Sequence, residues 1–265
     1  MMETFSYHRP ASVADAVRAL GAASDGRALA GGQTLLASMK LGLAAPSDLI
    51  DLGGVTELHG IRTEGDKLVI GAMTRHAEVA NSAEVRAAIP ALAELAEGIG
   101  DRQVRNAGTL GGSLANADPA ADYPAAVLGL GAEIRTDRRT IAADSFFKGL
   151  FETALEPGEL IVAVAFPKPQ RAAYIKFVQP ASRFALVGVF VAQTAGGVRV
   201  AVTGAGPCAF RATSLESALS ARFSPDACNG IKIAPDGLNT DLHGSAAYRA
   251  CLIPVIVRRV VASLG

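Results

Sequence analysis

Apolar positions Val13, Ala16, Val17 and Leu20 recur at helical spacing, and Ser12 with Asp15 three residues on forms a capping-box pattern, so the chain opens with an amphipathic helix. A short strand, Arg27–Ala30, runs into Gly31-Gly32. Thr34–Lys40 reads as helix and Asp48–Leu52 as a buried strand. Gly60–Arg62 and Lys67–Gly71 alternate as paired strands, and Thr74 is positioned to cap the helix that follows. Pro90 starts an Ala-rich helix ending near Gly98. Arg102–Pro119 then breaks the texture: it is glycine-rich, polar and poor in bulky groups. A helix from about Asp122 to Leu130 follows, with short strands at 133–135 and 139–142.

Leu160–Phe166 reads as a strand stopped by Pro167, and Pro167-Lys-Pro169 is the best candidate linker. Beyond it, Phe184–Thr194 and Val198–Thr203 read as two strands turning at Gly196-Gly197. Leu215–Ala221 and Pro225–Asn229 read as short helices. The tail from Ala246 to Leu264 reads as a helix kinked at Pro254. The fold class is α+β. Residues 1–168 form a mixed domain whose glycine-rich loops follow strands, and 169–265 form a smaller domain with an antiparallel sheet and helices.

Composition narrows the chemistry. Of 265 residues half are apolar and 19% charged, with 25 basic balancing 25 acidic side chains, which disfavours nucleic acid as a partner. No apolar run reaches the length of a membrane span and the N-terminus does not read as a secretory signal, so a cytoplasmic location is expected. The dispersed Cys208, Cys228 and Cys251 cannot hold an iron–sulfur cluster alone, and His8, His59, His76 and His243 show no metal-ligand spacing. These side chains read as structural cysteines and as solvated or capping histidines. Redox chemistry here needs an organic cofactor.

Two glycine-rich loops are the candidate site. The first is Ala30-Gly31-Gly32-Gln33-Thr34-Leu35, fed by a strand and left by a helix. Glycines let a ligand approach the main chain, and the free N–H groups and positive end of the departing helix, with the Thr34 hydroxyl, suit a pyrophosphate. The second, Gly108-Thr109-Leu110-Gly111-Gly112-Ser113, repeats the recipe, and Asn116, Asp118 and Asp122 follow as partners for a ribose or adenine. Two such loops suit a dinucleotide. Gly-Gly corners also serve as plain turns, Asp118 before Pro119 also starts a turn, and Asp122 also caps a helix. Neither loop has the glycine fingerprint of a Rossmann fold or the lysine of a nucleoside-triphosphate loop.

At these residues the sequence resembles the FAD-binding medium subunit of molybdenum hydroxylases, the group of carbon monoxide dehydrogenase and xanthine dehydrogenase. The matching pieces are 30–35, 48–52, 70–75, 103–119 and Asp122, followed by Phe146-Phe147, 153–155, Glu159-Leu160, 174–177, 181–186, 248–252 and Arg258-Arg259. The resemblance implies a two-part FAD-binding domain of the vanillyl-alcohol-oxidase type (parts about 1–56 and 57–168). Both loops would hold the FAD pyrophosphate, and Asn116, Asp118 and Asp122 would lie near the ribose or adenine. Ile50 would lie near the flavin, and Tyr174 and Lys176 would help cover it; a core aromatic and a surface strand lysine are the plainer readings of those two.

The same resemblance implies partners: a large subunit with the molybdenum cofactor and a small subunit with two 2Fe–2S clusters, assembled as a dimer of heterotrimers. This chain would pass electrons from the clusters to NAD, a quinone, oxygen or a carrier, and an apolar patch would flank the flavin edge. No catalytic or metal-ligating residue is expected here. Many relatives have Ser at Thr34, Asn at Ser113, Pro at Ala37-Ser38, Arg at Gly42 and His at Cys251. A stand-alone FAD-dependent oxidase and a non-redox scaffold remain as rivals.

Overall fold

The computed structural model describes residues 3–265. It begins with β1 (Ser6–His8), α1 (Val13–Ala22), β2 (Gly26–Leu29), α2 (Leu35–Lys40) and β3 (Asp48–Asp51). The strands form a parallel sheet in the order β1-β3-β2. Ser12 starts α1 as the sequence predicts: its Oγ accepts from the Asp15 N–H at 3.1 Å. The helix lays Ala16 over Ile50, Leu52 and Val55.

The second part holds β4 (Ile61–Glu64), β5 (Lys67–Gly71), α3 (His76–Asn81), α4 (Ala83–Ala88), α5 (Pro90–Glu97), α6 (Arg102–Ala107), α7 (Leu110–Asn116) and α8 (Tyr123–Leu130). Then come β6 (Glu133–Thr136), β7 (Thr140–Ala142), the β8 (Phe147–Gly149)–β9 (Glu152–Thr153) hairpin and β10 (Ile161–Pro167). An antiparallel sheet β4-β5-β10-β6-β7 backs the helices. Two expectations change here. Thr74 does not cap α3; its hydroxyl donates to the Gly60 carbonyl, and the Glu78 carboxylate accepts from the Arg75 N–H instead. The glycine-rich stretch is mostly helix, because Asp101 caps α6 and Thr109 caps α7, so the second loop follows a helix and not a strand.

The remaining elements are β11 (Arg171–Val178), β12 (Ala185–Thr194), β13 (Gly197–Thr203), β14 (Phe210–Arg211), α9 (Thr213–Ala221) and α10 (Ala246–Ser263), which continues through Pro254. The sheet is antiparallel in the order β11-β12-β13-β14. Its two faces follow the alternation of strand side chains. Phe190, Ala192 and Ala201 face the helices of the second part and join Tyr123, Leu92 and Phe166 in one core. Val187, Val189, Val191, Val200 and Val202 face α9 and α10. The sheet therefore packs on both sides, and its inner face presses against α5 and α8 behind the candidate loops. No described helix is long and apolar enough to cross a membrane.

Candidate functional site

A cleft of about 450 Å³ lies between the two loops. Its wall includes Ala30, Gly31, Gly32, Gln33, Thr34 and Leu35 from the first, and Thr109, Gly111, Gly112, Asn116, Asp118 and Asp122 from the second and its continuation. Most of the candidates from sequence are thus brought together. Ile50 and Leu110 are not: both are fully buried in the packing and neither belongs to the wall. Tyr174 and Lys176 stand behind the wall and reach it only through Asp122.

The two loops are chemically unequal. In the first, the backbone N–H groups of residues 31–35 have no acceptor among the described residues. Thr34 makes no capping bond, and its hydroxyl has no partner among the described residues. Gly32 has φ +69°, which favours glycine. The second loop has spent its amides: Leu110 N–H donates to the Thr74 carbonyl at 3.1 Å and Gly111 N–H to the Ala72 carbonyl at 2.8 Å. Gly112 N–H donates to Thr109 Oγ1 at 3.1 Å. The expectation that both loops present free donors is therefore corrected. With six and seven residues, α2 and α7 are also short for a dipole argument. What the second loop supplies is closeness. A Cβ on Gly112 would lie 3.3 Å from the Ala30 Cβ, so the loops touch there. The Ser113 hydroxyl and the Asn116 amide, both on the cleft wall, have no partner among the described residues.

Asp118 makes the turn expected before Pro119, its Oδ1 accepting from the Ala120 N–H at 2.9 Å. Asp122 makes no capping bond to α8. Instead its buried carboxylate accepts from Tyr174 Oη at 2.5 Å and from Lys176 Nζ at 3.0 Å. Burial raises the Asp122 carboxyl above the usual range, and the Lys176 ammonium and Tyr174 hydroxyl pull it part of the way back. Lys176 also donates to the Gly98 carbonyl, so neither it nor Tyr174 is a free surface residue.

Among the wall residues that sequence reasoning does not place in the site are His76, Glu159 and Phe184. His76 is buried, not solvated or capping, and its Nδ1 has no partner among the described residues. Burial, with the nearby Arg105 cation, lowers its imidazole to about 4, so it is neutral. Its signal is spacing: His76, Val79 and Ala80 share the buried face of α3. Glu159 is a fully buried carboxylate clamped by Arg139 at 2.9 Å, with its acidity driven to about 2 chiefly by that bond. Phe184 is half exposed at the cleft mouth and also lines a neighbouring cavity with the exposed Leu150 and Phe151.

A run of unspent amides facing a glycine-lined cleft fits an organic anion such as a flavin dinucleotide diphosphate. The comparisons agree. Residues 3–169 match the family model described as the FAD binding domain in molybdopterin dehydrogenase. The chain belongs to this family. It is 38% identical to the carbon monoxide dehydrogenase medium chain of Hydrogenophaga pseudoflava, over 97% of this chain and 96% of that one. It is 36% identical to the nicotine 6-hydroxylase medium subunit of Paenarthrobacter nicotinovorans, covering 98% and 96%. Among solved structures, carbon monoxide dehydrogenase from Hydrogenophaga pseudoflava superposes with TM-score 0.90 at 37% identity, covering all of this chain and 98% of that chain. Quinoline 2-oxidoreductase from Pseudomonas putida 86 superposes at 0.90 with 31% identity over the same spans. The chain is an oxidoreductase subunit of the medium-chain type, with an α+β FAD-binding architecture.

Proposed function

We propose that this chain is the FAD-carrying electron-transfer subunit of a heterotrimeric molybdenum hydroxylase. It takes electrons from 2Fe–2S clusters on a small subunit and passes them to a terminal acceptor, while a large subunit oxidises substrate at molybdenum. The observation that carries the reading is the run of unpaired N–H donors over residues 31–35 at the cleft wall. These amides and the Thr34 hydroxyl would hold the diphosphate. Ser113, Asn116, Asp118 and Asp122 would hold the sugar and base end. Phe184 offers an aromatic face at the mouth. When bound, flavin supplies the ability to take electrons singly and release them singly or in pairs.

This chain's own residues then bind and orient. His76 stays neutral near neutral pH, so it adds no charge to the cleft. Lys176 and Tyr174 hold Asp122 in one rotamer. The exposed Leu150, Phe151 and Phe184 beside the mouth would serve as the apolar patch against a partner subunit. On this reading residues 1–168 carry the cofactor and 169–265 form the covering domain, in a cytoplasmic complex.

The test is purification of the chain with and without its partner chains, followed by visible absorption, flavin extraction, and molybdenum and iron analysis. Flavin bands on this chain, with molybdenum and iron copurifying in the assembly, are expected. A yellow chain that never associates with metal-bearing partners turns the reading to a stand-alone oxidase. A folded, colourless chain that refuses FAD even beside its partners overturns it.

A further inference from the structure

We propose that Arg249, on the last helix, is a positioning residue for the cofactor cleft, acting through Gly204 and Thr203 on the 118–122 wall. The proposal rests on the reading that this cleft holds FAD. Arg249 sits in the first turn of α10 and is buried. Its Nη1 donates to the Leu186 carbonyl at 2.6 Å and the Gly204 carbonyl at 2.9 Å. Its Nη2 donates to both carboxylate oxygens of Asp241, at 2.8 and 2.7 Å. One guanidinium thus ties together the start of β12, the end of β13 and the loop leading into α10.

The end of β13 is in turn fastened to the cleft wall. Gly204 N–H donates to the Pro119 carbonyl at 2.7 Å. The buried Thr203 hydroxyl lies 2.9 Å from the Pro119 carbonyl and 2.6 Å from the Ala121 carbonyl, sharing its single proton between them. Gly204 can do this only as glycine: its φ is +82°, and a Cβ would lie 2.4 Å from the Ala185 carbonyl oxygen. Pro119 to Ala121 are the residues between Asp118 and Asp122, both on the cleft wall. The wall segment is short on ties of its own. The Ala120 and Ala121 N–H groups both donate back to Asp118 inside the segment. Its position is therefore set from β13, and the position of β13's end is set by Arg249. A buried cation whose two terminal nitrogens donate to two backbone carbonyls and to both oxygens of one carboxylate is a rigid anchor, because moving it adds further unpaired groups to its Nε, which already has no partner among the described residues.

The experiment compares the full-length wild-type chain with Arg249→Met, Arg249→Lys, Thr203→Val and Arg211→Met. Arg211, on β14 of the same sheet, pairs with Glu216 of α9 at 2.7 Å and among the described residues has no bond to the 118–122 segment, so it controls for general loss of stability. Hydrogen exchange is read at Ala120 and Ala121 in FAD-free protein, and FAD affinity by flavin fluorescence. Exchange about tenfold faster and FAD binding about tenfold weaker are expected in Arg249→Met, with the same direction in Thr203→Val and an intermediate Arg249→Lys. Arg211→Met should change neither, even where it lowers the melting temperature. Thr203→Val removes one hydroxyl and keeps the inference testable if Arg249→Met does not fold. Unchanged exchange at 120–121 in Thr203→Val and in whichever Arg249 variant folds, or an equal effect in Arg211→Met, overturns it. Wild-type protein that binds no FAD refutes the cofactor reading separately, since the exchange readout needs no cofactor.

Discussion

A Cβ on Gly31 would stand 2.2 Å from the carbonyl oxygen of Ala107, so these two residues set the spacing between the first loop and the α6–α7 corner. The opposing atoms are main chain and cannot swing aside. On the far side of the same corner, a Cβ on Gly108 would lie 2.6 Å from His76 Nε2. Three layers are stacked at contact distance: loop, corner, imidazole.

Gly31→Ala must therefore push the corner away from the loop and open the cleft. Overpacking of this kind costs about 1–3 kcal/mol. The protein should purify with its flavin absorbance largely lost and a lowered melting temperature. Gly21→Ala is the control, since Gly21 lies in α1 with nothing within 4 Å of a Cβ. It should keep its flavin and gain about 0.5 kcal/mol from helix propensity. Full flavin content and unchanged melting in Gly31→Ala would mean that the contact does not set the cleft.

His76 gives the fold a pH dependence. Its folded value is about 4 against an ordinary 6.5. The unfolded chain then binds more protons than the native one between those values, so stability is fully present above about pH 6.5 and falls as pH drops toward 4. The full difference is about 3 kcal/mol, because each tenfold loss of proton affinity on folding is worth about 1.4 kcal/mol. Urea unfolding of wild type and His76→Gln across pH 4–7 measures it. The wild-type curve should fall more steeply, and parallel curves would show that the imidazole does not titrate as its burial requires.

Much of the fold and site is legible in the sequence, for reasons that differ by residue. The Ser12–Asp15 cap, the Pro90 start and the alternation along Val187, Val189 and Val191 are local signals, and the structure follows them. The first loop is legible because glycines after a strand leave few local partners for their amides. The second is not, because its amides are taken by Ala72 and Thr74, more than thirty residues earlier, and no local pattern carries that pairing. Only the family resemblance places Ile50 near the flavin, and α1 covers it. Glu159 escapes notice because a surface carboxylate and one clamped by Arg139 read alike in sequence.

The Arg139–Glu159 clamp predicts an asymmetry. Glu159 is fully buried, while Arg139 remains in contact with solvent. Removing the acid leaves an arginine that water can still serve. Removing the arginine strands a carboxylate whose other donors among the described residues are the Thr136 hydroxyl and the Glu156 N–H. Arg139→Met should therefore cost roughly two to three times as much stability as Glu159→Gln. Because the Glu159 carboxyl is held near 2, its contribution is present above about pH 4.5 and is lost as pH falls through 2. Chemical denaturation at pH 7 and pH 3 tests both points, and equal losses in the two variants would contradict the clamp.

Lys176 and Tyr174 both serve Asp122, but they are not equivalent supports. Tyr174→Phe removes one hydrogen bond from a carboxylate that keeps its cation, and should cost about 1 kcal/mol. Lys176→Met removes the cation and leaves a buried acid with one neutral donor, a change worth about 3 kcal/mol or more near pH 7. The sign with pH follows from the raised Asp122 value. A group whose folded value is raised favours folding at low pH and loses that contribution as pH rises through the folded value. Without Lys176 the rise is larger, so the penalty of Lys176→Met should shrink as pH is lowered and the acid takes up a proton. Asp122→Asn added to Lys176→Met should recover part of the loss, because a neutral amide needs no cation. Calorimetric melting of the single and double variants from pH 5 to 8 decides it: a Lys176→Met penalty that stays flat with pH, or a double variant no better than the single, would show that Asp122 is not held by charge.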